Sequence, residues 1–308
     1  MFEQLGLIGC GLMGGSFALA LRKAGLVKRV VGYSKSPATT ERALQLGVID
    51  AQAPTAPLAA AGSDIVLLAV PVAATEATLA SIRHLVTPAM LVMDVGSTKA
   101  DVVQAARAGL GDRFASFVPA HPITGKEVAG VEHAIADLYV GSHVVLTPDE
   151  GTLPAQLAQA RRVWQALGCQ VHSMSPEAHD VTLATVSHLP HLLAFAMMQG
   201  VLAQPDADAT LALAGPGFRD FTRIAAGNPQ IWRDILMANR EQVLAQSRQF
   251  RAALHDLEAL MQAGDGPGLE AQLAQASTAR AGWHLGAPRK AAATPPATSL
   301  TRAPEPAR

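Results

Sequence analysis

Five short stretches of the chain carry residue types that can do chemistry. Gly9, Gly11 and Gly14 stand in G-x-G-x-x-G spacing within Gly9-Cys10-Gly11-Leu12-Met13-Gly14. Asp94-Val95-Gly96-Ser97-Thr98-Lys99 offers a carboxylate, a hydroxyl and a cation close together. His121 opens His121-Pro122-Ile123-Thr124-Gly125-Lys126-Glu127, between proline and glycine turns. Ser187-His188-Leu189-Pro190-His191 and Arg219-Asp220-Phe221-Thr222-Arg223 lie further on, with Trp232 beyond them. A glycine loop of this spacing lets backbone N–H groups approach a pyrophosphate. A neutral imidazole can take a proton at ordinary pH. The planar fork of an arginine suits a carboxylate.

These groups need elements to hold them. Leu5, Leu7 and Ile8 read as a buried strand, and Gly15-Ser16-Phe17-Ala18-Leu19-Ala20-Leu21 as a helix. Strand, glycine turn and helix in that order are the context of a dinucleotide fingerprint. Gly9 permits the turn, Gly11 the close approach, and Gly14 the packing of helix on strand. Gly9, Gly11, Leu12, Met13 and Gly14 are therefore the expected phosphate-side contacts, at the positive end of the helix. A second strand, 29–33, ends at Ser34-Lys35-Ser36. An acidic residue about 20 positions beyond the fingerprint would bind the ribose hydroxyls of NAD. Hydroxyls and a cation suit a 2′-phosphate instead, so Ser34, Lys35 and Ser36 favour NADP over NAD.

Further strands are expected at 64–70, 91–95, 117–120, 142–147 and 170–172, with helices at 38–47, 73–86 and 153–167. The near-continuous apolar run Ile65-Val66-Leu67-Leu68-Ala69-Val70 suits a central parallel strand. This alternation predicts one doubly wound α/β domain of Rossmann type over residues 1–174. An all-α domain over 175–285 follows. Its first helix runs from Pro176 to about Leu202, and Pro190 inside it should kink it and free a carbonyl near Val186. His188 and His191 lie three apart on the helix surface; no carboxylate or cysteine completes a metal set, and none is expected. Arg223 precedes Ile224-Ala225-Ala226, which suggests a half-buried stem. Helices follow from 229, at 239–262 and at 268–283. Residues 286–308, rich in alanine and proline, read as a disordered tail.

Composition narrows the possibilities. The chain has 308 residues, 49% hydrophobic and 16% charged, enough for two domains with a sizeable core. A formal net charge of −1 announces no nucleic-acid face. Two cysteines, Cys10 and Cys169, are too few for a disulfide framework or zinc cluster. A strand almost at the first residue leaves no room for a signal sequence, and no uninterrupted apolar run reaches about 18 residues. No membrane span is expected, and the simplest address is the cytoplasm.

Taken in order, G-C-G-L-M-G, D-V-G-S-T-K, H-P-I-T-G-K-E, S-H-L-P-H and R-D-F-T-R with Trp232 resemble the prephenate/arogenate dehydrogenase family of tyrosine biosynthesis. The resemblance covers roughly residues 4–283. It implies a Rossmann domain followed by a helical domain that forms a homodimer. It also implies oxidative decarboxylation of prephenate or arogenate, with hydride passing to NAD or NADP. His121 would be catalytic, Ser97 would orient it and touch substrate, and Arg223 would hold a substrate carboxylate. His191, Ser187, Lys126 and Trp232 fall at the substrate pocket. The imidazole of His121 and the guanidinium of Arg223 should then meet across one cleft. Two positions depart from the family pattern: Thr124 replaces a usual alanine, and Lys126 a usual threonine or serine. A β-hydroxyacid dehydrogenase or imine reductase would share the glycine loop but needs neither S-H-L-P-H nor D-F-T-R. A nucleotide-sensing regulator would not need His121, Ser97 and Arg223 together.

Overall fold

A computed structural model of the chain describes residues 1–126 and 128–284. The tail expected at 286–308 lies outside them. The first part runs β1 (Phe2–Ile8), α1 (Leu12–Lys23), β2 (Val27–Tyr33), α2 (Pro37–Gln45), β3 (Ala51–Gln52), α3 (Ala56–Ala60), β4 (Ile65–Leu68), α4 (Thr75–Ile82), β5 (Leu91–Asp94), α5 (Ala100–Leu110) and β6 (Phe117–Val118). The six strands form one sheet in the order β3-β2-β1-β4-β5-β6, every pair parallel. Neighbouring residues on one strand enter different cores. Ile65 and Leu67 pack with Phe17, Leu21 and Trp164, whereas Val66 and Leu68 pack with Leu79, Ile82 and Val102. Helices therefore cover both faces, which is why β4 is apolar throughout.

Pro119 divides what the sequence suggests is one strand. Phe117–Val118 ends the parallel sheet, and β7 (Ala120–Ile123) starts a second sheet with β8 (His143–Leu146) and, after α6 (Pro154–Ala166), β9 (Gln170–Ser173). In it β7 is antiparallel to β8 and β8 is parallel to β9. The strands near 142–147 and 170–172 thus exist but do not extend the main sheet. His121 lies within β7, opposite Val145, rather than after a strand.

Among the described residues all later elements are helical: α7 (Pro176–Leu183), a π-turn Ala184–His188, α8 (Leu189–Leu202), α9 (Ala207–Ala212), α10 (Pro216–Thr222), a 3-10 turn Arg223–Ala226, α11 (Pro229–Ala238), α12 (Arg240–Gln262) and α13 (Gly266–Ala281). Pro190 sits in the first turn of α8, directly after a π-turn inside one continuous helical run, where its missing N–H breaks the helical hydrogen-bond ladder. The widened π-turn before it absorbs the disruption. Pro176–Leu202 is a 27-residue helical run with mean hydropathy 1.4, long and apolar enough by length and composition to cross a membrane. The sequence expectation weighed uninterrupted apolar runs, whereas the helix as a whole is apolar on average. Buried His179, Asp180 and His188 lie along this run. Only 28% of its apolar window is buried by the chain, so much apolar surface remains open.

Two compact units are distinguished, residues 1–253 and the chain from Leu254 on. The second contains α13, whose N-terminus is capped by Asp265, accepting from Gly268 N at 2.9 Å. The groups considered below all lie in the first.

Candidate active site

The glycine loop meets its steric demands in three different ways. Gly9 has φ 103°, and a Cβ there would lie 2.2 Å from the Ala69 carbonyl oxygen. A Cβ on Gly14 would lie 2.1 Å from the Gly9 carbonyl oxygen. At Gly11, by contrast, a Cβ would meet no protein atom within 4 Å. The loop is closed against its own domain and open only where a ligand must approach. Gly11, Leu12, Met13 and Gly14 line a cleft of about 330 Å³, with Ser97 and Lys126 also on its walls. The cleft contains the start of α1, so the residues present fit a dinucleotide pyrophosphate. At the end of β2, the Ser34 hydroxyl oxygen accepts the Cys10 N–H at 2.8 Å, while Lys35 and Ser36 are exposed. Burial pushes the Cys10 thiol up to about 11, so this loop cysteine is an inert packing group.

A chain of buried polar groups runs from β5 to α7. Lys99 is fully buried and its ammonium pairs with Asp94; it also donates to the Ala120 carbonyl at 2.9 Å. The other Asp94 oxygen accepts Ala120 N at 2.9 Å. These bonds fix β7, and with it His121. The Nδ1 of His121 lies 2.8 Å from Nε2 of His179, and Nδ1 of His179 lies 2.7 Å from Oδ1 of Asp180. Asp180 also accepts the N–H groups of Lys99 and Ala100, each at 2.9 Å. Burial first, then the potential of His179, Lys99 and His188, pushes His121 well below the ordinary 6.5. Burial likewise lowers His179, outweighing its bond to Asp180. Asp180 is held below its ordinary value: burial acts upward, but hydrogen bonds from His179, Ala100 and Lys99 outweigh it. At neutral pH the arrangement is two neutral rings ending on a carboxylate.

The helical elements add a second group. Asn239 donates to the Asp180 carbonyl at 2.7 Å and lies 3.1 Å from Nδ1 of His188. His191 lies 2.9 Å from the Ser187 carbonyl through Nδ1 and stacks on Trp232. His188 and His191 are thus committed to different partners despite their shared helix.

The family comparisons can now be set against this geometry. Residues 17–173 match the family profile described as prephenate dehydrogenase, nucleotide-binding domain. Residues 175–275 match that described as prephenate dehydrogenase, dimerization domain. The chain belongs to the prephenate dehydrogenase family. It is 35% identical over 246 residues to a prephenate dehydrogenase of Bacillus subtilis, covering 79% of this chain and 66% of that protein. A cyclohexadienyl dehydrogenase of Zymomonas mobilis is 31% identical over 282 residues, covering 91% and 96% of the two chains. Prephenate dehydrogenase from A. aeolicus, in complex with hydroxyphenyl propionate and NAD+, superposes with a TM-score of 0.84 at 35% identity, covering 91% and 98%. The nucleotide-binding domain match and the relative solved with NAD+ support a nicotinamide dinucleotide cofactor.

Of the residues singled out in the sequence, Gly11, Leu12, Met13, Gly14, Ser97 and Lys126 line one cleft. Lys126 also donates to the His133 carbonyl at 3.1 Å. Trp232 and His191 stack together, with Ser187 half-buried beside them. Arg223 differs from expectation: it is exposed rather than half-buried, because it heads a short 3-10 turn on the outside of α8. The partner of His121 Nδ1 is His179, not Ser97. His179 and Asp180 were legible only as the opening of a helix. Their adjacency, an imidazole beside a carboxylate in the first turn, was the available signal.

Proposed function

We propose that this member of the family catalyses the oxidative decarboxylation of prephenate, arogenate or both. The observation that carries the reading is His121: a neutral, buried imidazole in a chain that matches both family domains. In this reading His121 accepts the proton of the ring hydroxyl at carbon 4. Nicotinamide, when bound, supplies the acceptor for the hydride leaving that carbon. The bond from ring carbon 1 to its carboxylate breaks, carbon dioxide departs, and the electron pair completes an aromatic ring. Aromatisation supplies the driving force; the protein supplies a base and a fixed position. Ser97, at the cleft wall and between Asp94 and Lys99 in the chain, provides the hydroxyl that touches substrate. Arg223 provides the guanidinium for a substrate carboxylate, and His191, Ser187, Lys126 and Trp232 the remaining pocket.

NADP is the favoured cofactor in this reading. No carboxylate ends β2, Lys35 is an exposed cation there, and Ser34 retains its O–H proton for a ligand oxygen while accepting Cys10 N. The active form is a homodimer through the helical half. Support comes from the dimerization-domain match and from exposed Val186, Met197, Leu202 and Phe221. A reading as β-hydroxyacid dehydrogenase or as a nucleotide-sensing regulator is disfavoured by the matches over 17–173 and 175–275.

The test is a matrix of prephenate and arogenate against NAD and NADP, following cofactor reduction. Turnover of at least one substrate, fastest with NADP, is expected. No turnover in any combination would refute the function. Equal or better kcat/KM with NAD would refute the cofactor preference alone.

A further inference from the structure

Asp180 does not line the cleft, yet three protein donors converge on its carboxylate. Its Oδ1 accepts Lys99 N at 2.9 Å and faces His179 Nδ1 at 2.7 Å, and its Oδ2 accepts Ala100 N at 2.9 Å. We propose that His179 and Asp180 are positioning residues that fix the tautomer of His121, leaving its Nε2 bare to act as the base. The proposal rests on the reading of His121 given above.

An ionised carboxylate can only accept hydrogen bonds. His179 must therefore carry its proton on Nδ1, the nitrogen facing Asp180. A neutral imidazole has one proton, so Nε2 of His179 is bare. That bare nitrogen lies 2.8 Å from Nδ1 of His121, which must then carry the His121 proton and donate it. Nε2 of His121 is left with its lone pair. In the opposite tautomer the two rings would set N–H against N–H, or lone pair against lone pair, inside a buried site where neither finds water. The same relay serves after proton transfer. An imidazolium at His121 donates along the existing bonds toward a carboxylate two rings away. This is the logic of a buried carboxylate that orients and stabilises a catalytic imidazole without itself taking the proton, extended by one ring.

The test uses the full-length protein and three variants. Asp180→Asn keeps the size and one acceptor oxygen, but its amide donates toward His179 and reverses both tautomers. His179→Gln keeps an acceptor for His121 Nδ1; His179→Leu removes it. Nitrogen-15 spectra of the histidine rings should show His121 Nε2 unprotonated in wild type and protonated in Asp180→Asn. With whichever substrate and cofactor the wild type turns over, kcat should fall about 10²–10⁴-fold in Asp180→Asn, with little change in KM. His179→Gln should retain far more kcat than His179→Leu. If Asp180→Asn fails to fold, the two His179 variants carry the comparison. Equal kcat in His179→Gln and His179→Leu, or a protonated His121 Nε2 in the wild-type spectrum, would overturn the proposal. Wild type inactive on every substrate would instead overturn the reading beneath it, and the ring spectra would still report the tautomer.

Discussion

His191 lies flat against Trp232, with ring centroids 3.5 Å apart and planes 21° from parallel. The stack joins α8 to α11. Gly227 also lies against Trp232: a Cβ there would come within 2.6 Å of the indole nitrogen. A half-buried indole against an imidazole and a glycine has little room to move, as the proposed pocket requires of a wall for a planar ring.

Trp232→Ala should therefore raise KM for the cyclohexadiene substrate more than it lowers kcat. Loss of an aromatic pair removes about 0.5–1.5 kcal/mol beyond simple area burial, and thermal unfolding should register it. Gly227→Ala should act in the same direction by displacing the indole. Unchanged KM in both variants would remove this wall from the substrate site.

Two glycine variants separate folding from cofactor binding. Gly11→Ala adds a methyl group where no protein atom lies within 4 Å, so its Tm should equal that of wild type. The same methyl group occupies space beside the pyrophosphate, so dinucleotide Kd should rise. Gly14→Ala would press against the Gly9 carbonyl and should lower both Tm and affinity. Tight dinucleotide binding by Gly11→Ala, measured by titration calorimetry, would contradict the assignment of this cleft.

The preference between cofactors is reversible at one position. Ser34→Asp can still accept Cys10 N–H, so the loop should keep its shape. Its charge would repel a 2′-phosphate and bind ribose hydroxyls. kcat/KM for NADP should fall about tenfold or more, equivalent to about 1.4 kcal/mol, while that for NAD rises. Parallel changes with the two cofactors would contradict a role for this strand end.

The glycine fingerprint was legible because it is local: turn, approach and packing are set within six residues. The helical second half was visible in its long helical patterns; one helix was expected from 229, where the Asn228 side chain accepts from Gln230 N and Ile231 N. Pro119 shows where such reading stops. It splits a short apolar run between two sheets, and only strand pairing reveals this. The His121–His179 contact joins residues 58 positions apart, and no spacing rule reaches that far. Arg223 was judged from its apolar neighbours, but Ile224 and Ala225 are half-buried while the arginine is exposed.

Acid sensitivity follows from the buried histidines. Burial lowers His188 from 6.5 to about 4, outweighing the opposing pull of Asp180. Below 6.5 the unfolded chain binds more protons at this position than the folded one, so stability falls as pH drops from 6.5 toward 4. His188 alone contributes a loss of about 3 kcal/mol over that window, and His121 and His179 act in the same direction. Urea unfolding at pH 7 and pH 5 should give clearly different midpoints; equal midpoints would contradict these burial effects. The acid limb of kcat/KM should lie below 6.5, because the free enzyme keeps His121 neutral down to lower pH. That places the limb lower than an ordinary histidine would.

The most direct measurement is the turnover of His121→Asn with prephenate and arogenate beside wild type. Asparagine can occupy the site but cannot accept the hydroxyl proton. The predicted result is a kcat lower by about 10²–10⁴-fold, with substrate and dinucleotide still bound. Turnover within a few-fold of wild type, in a variant that binds both normally, would contradict the assignment of His121 as the base.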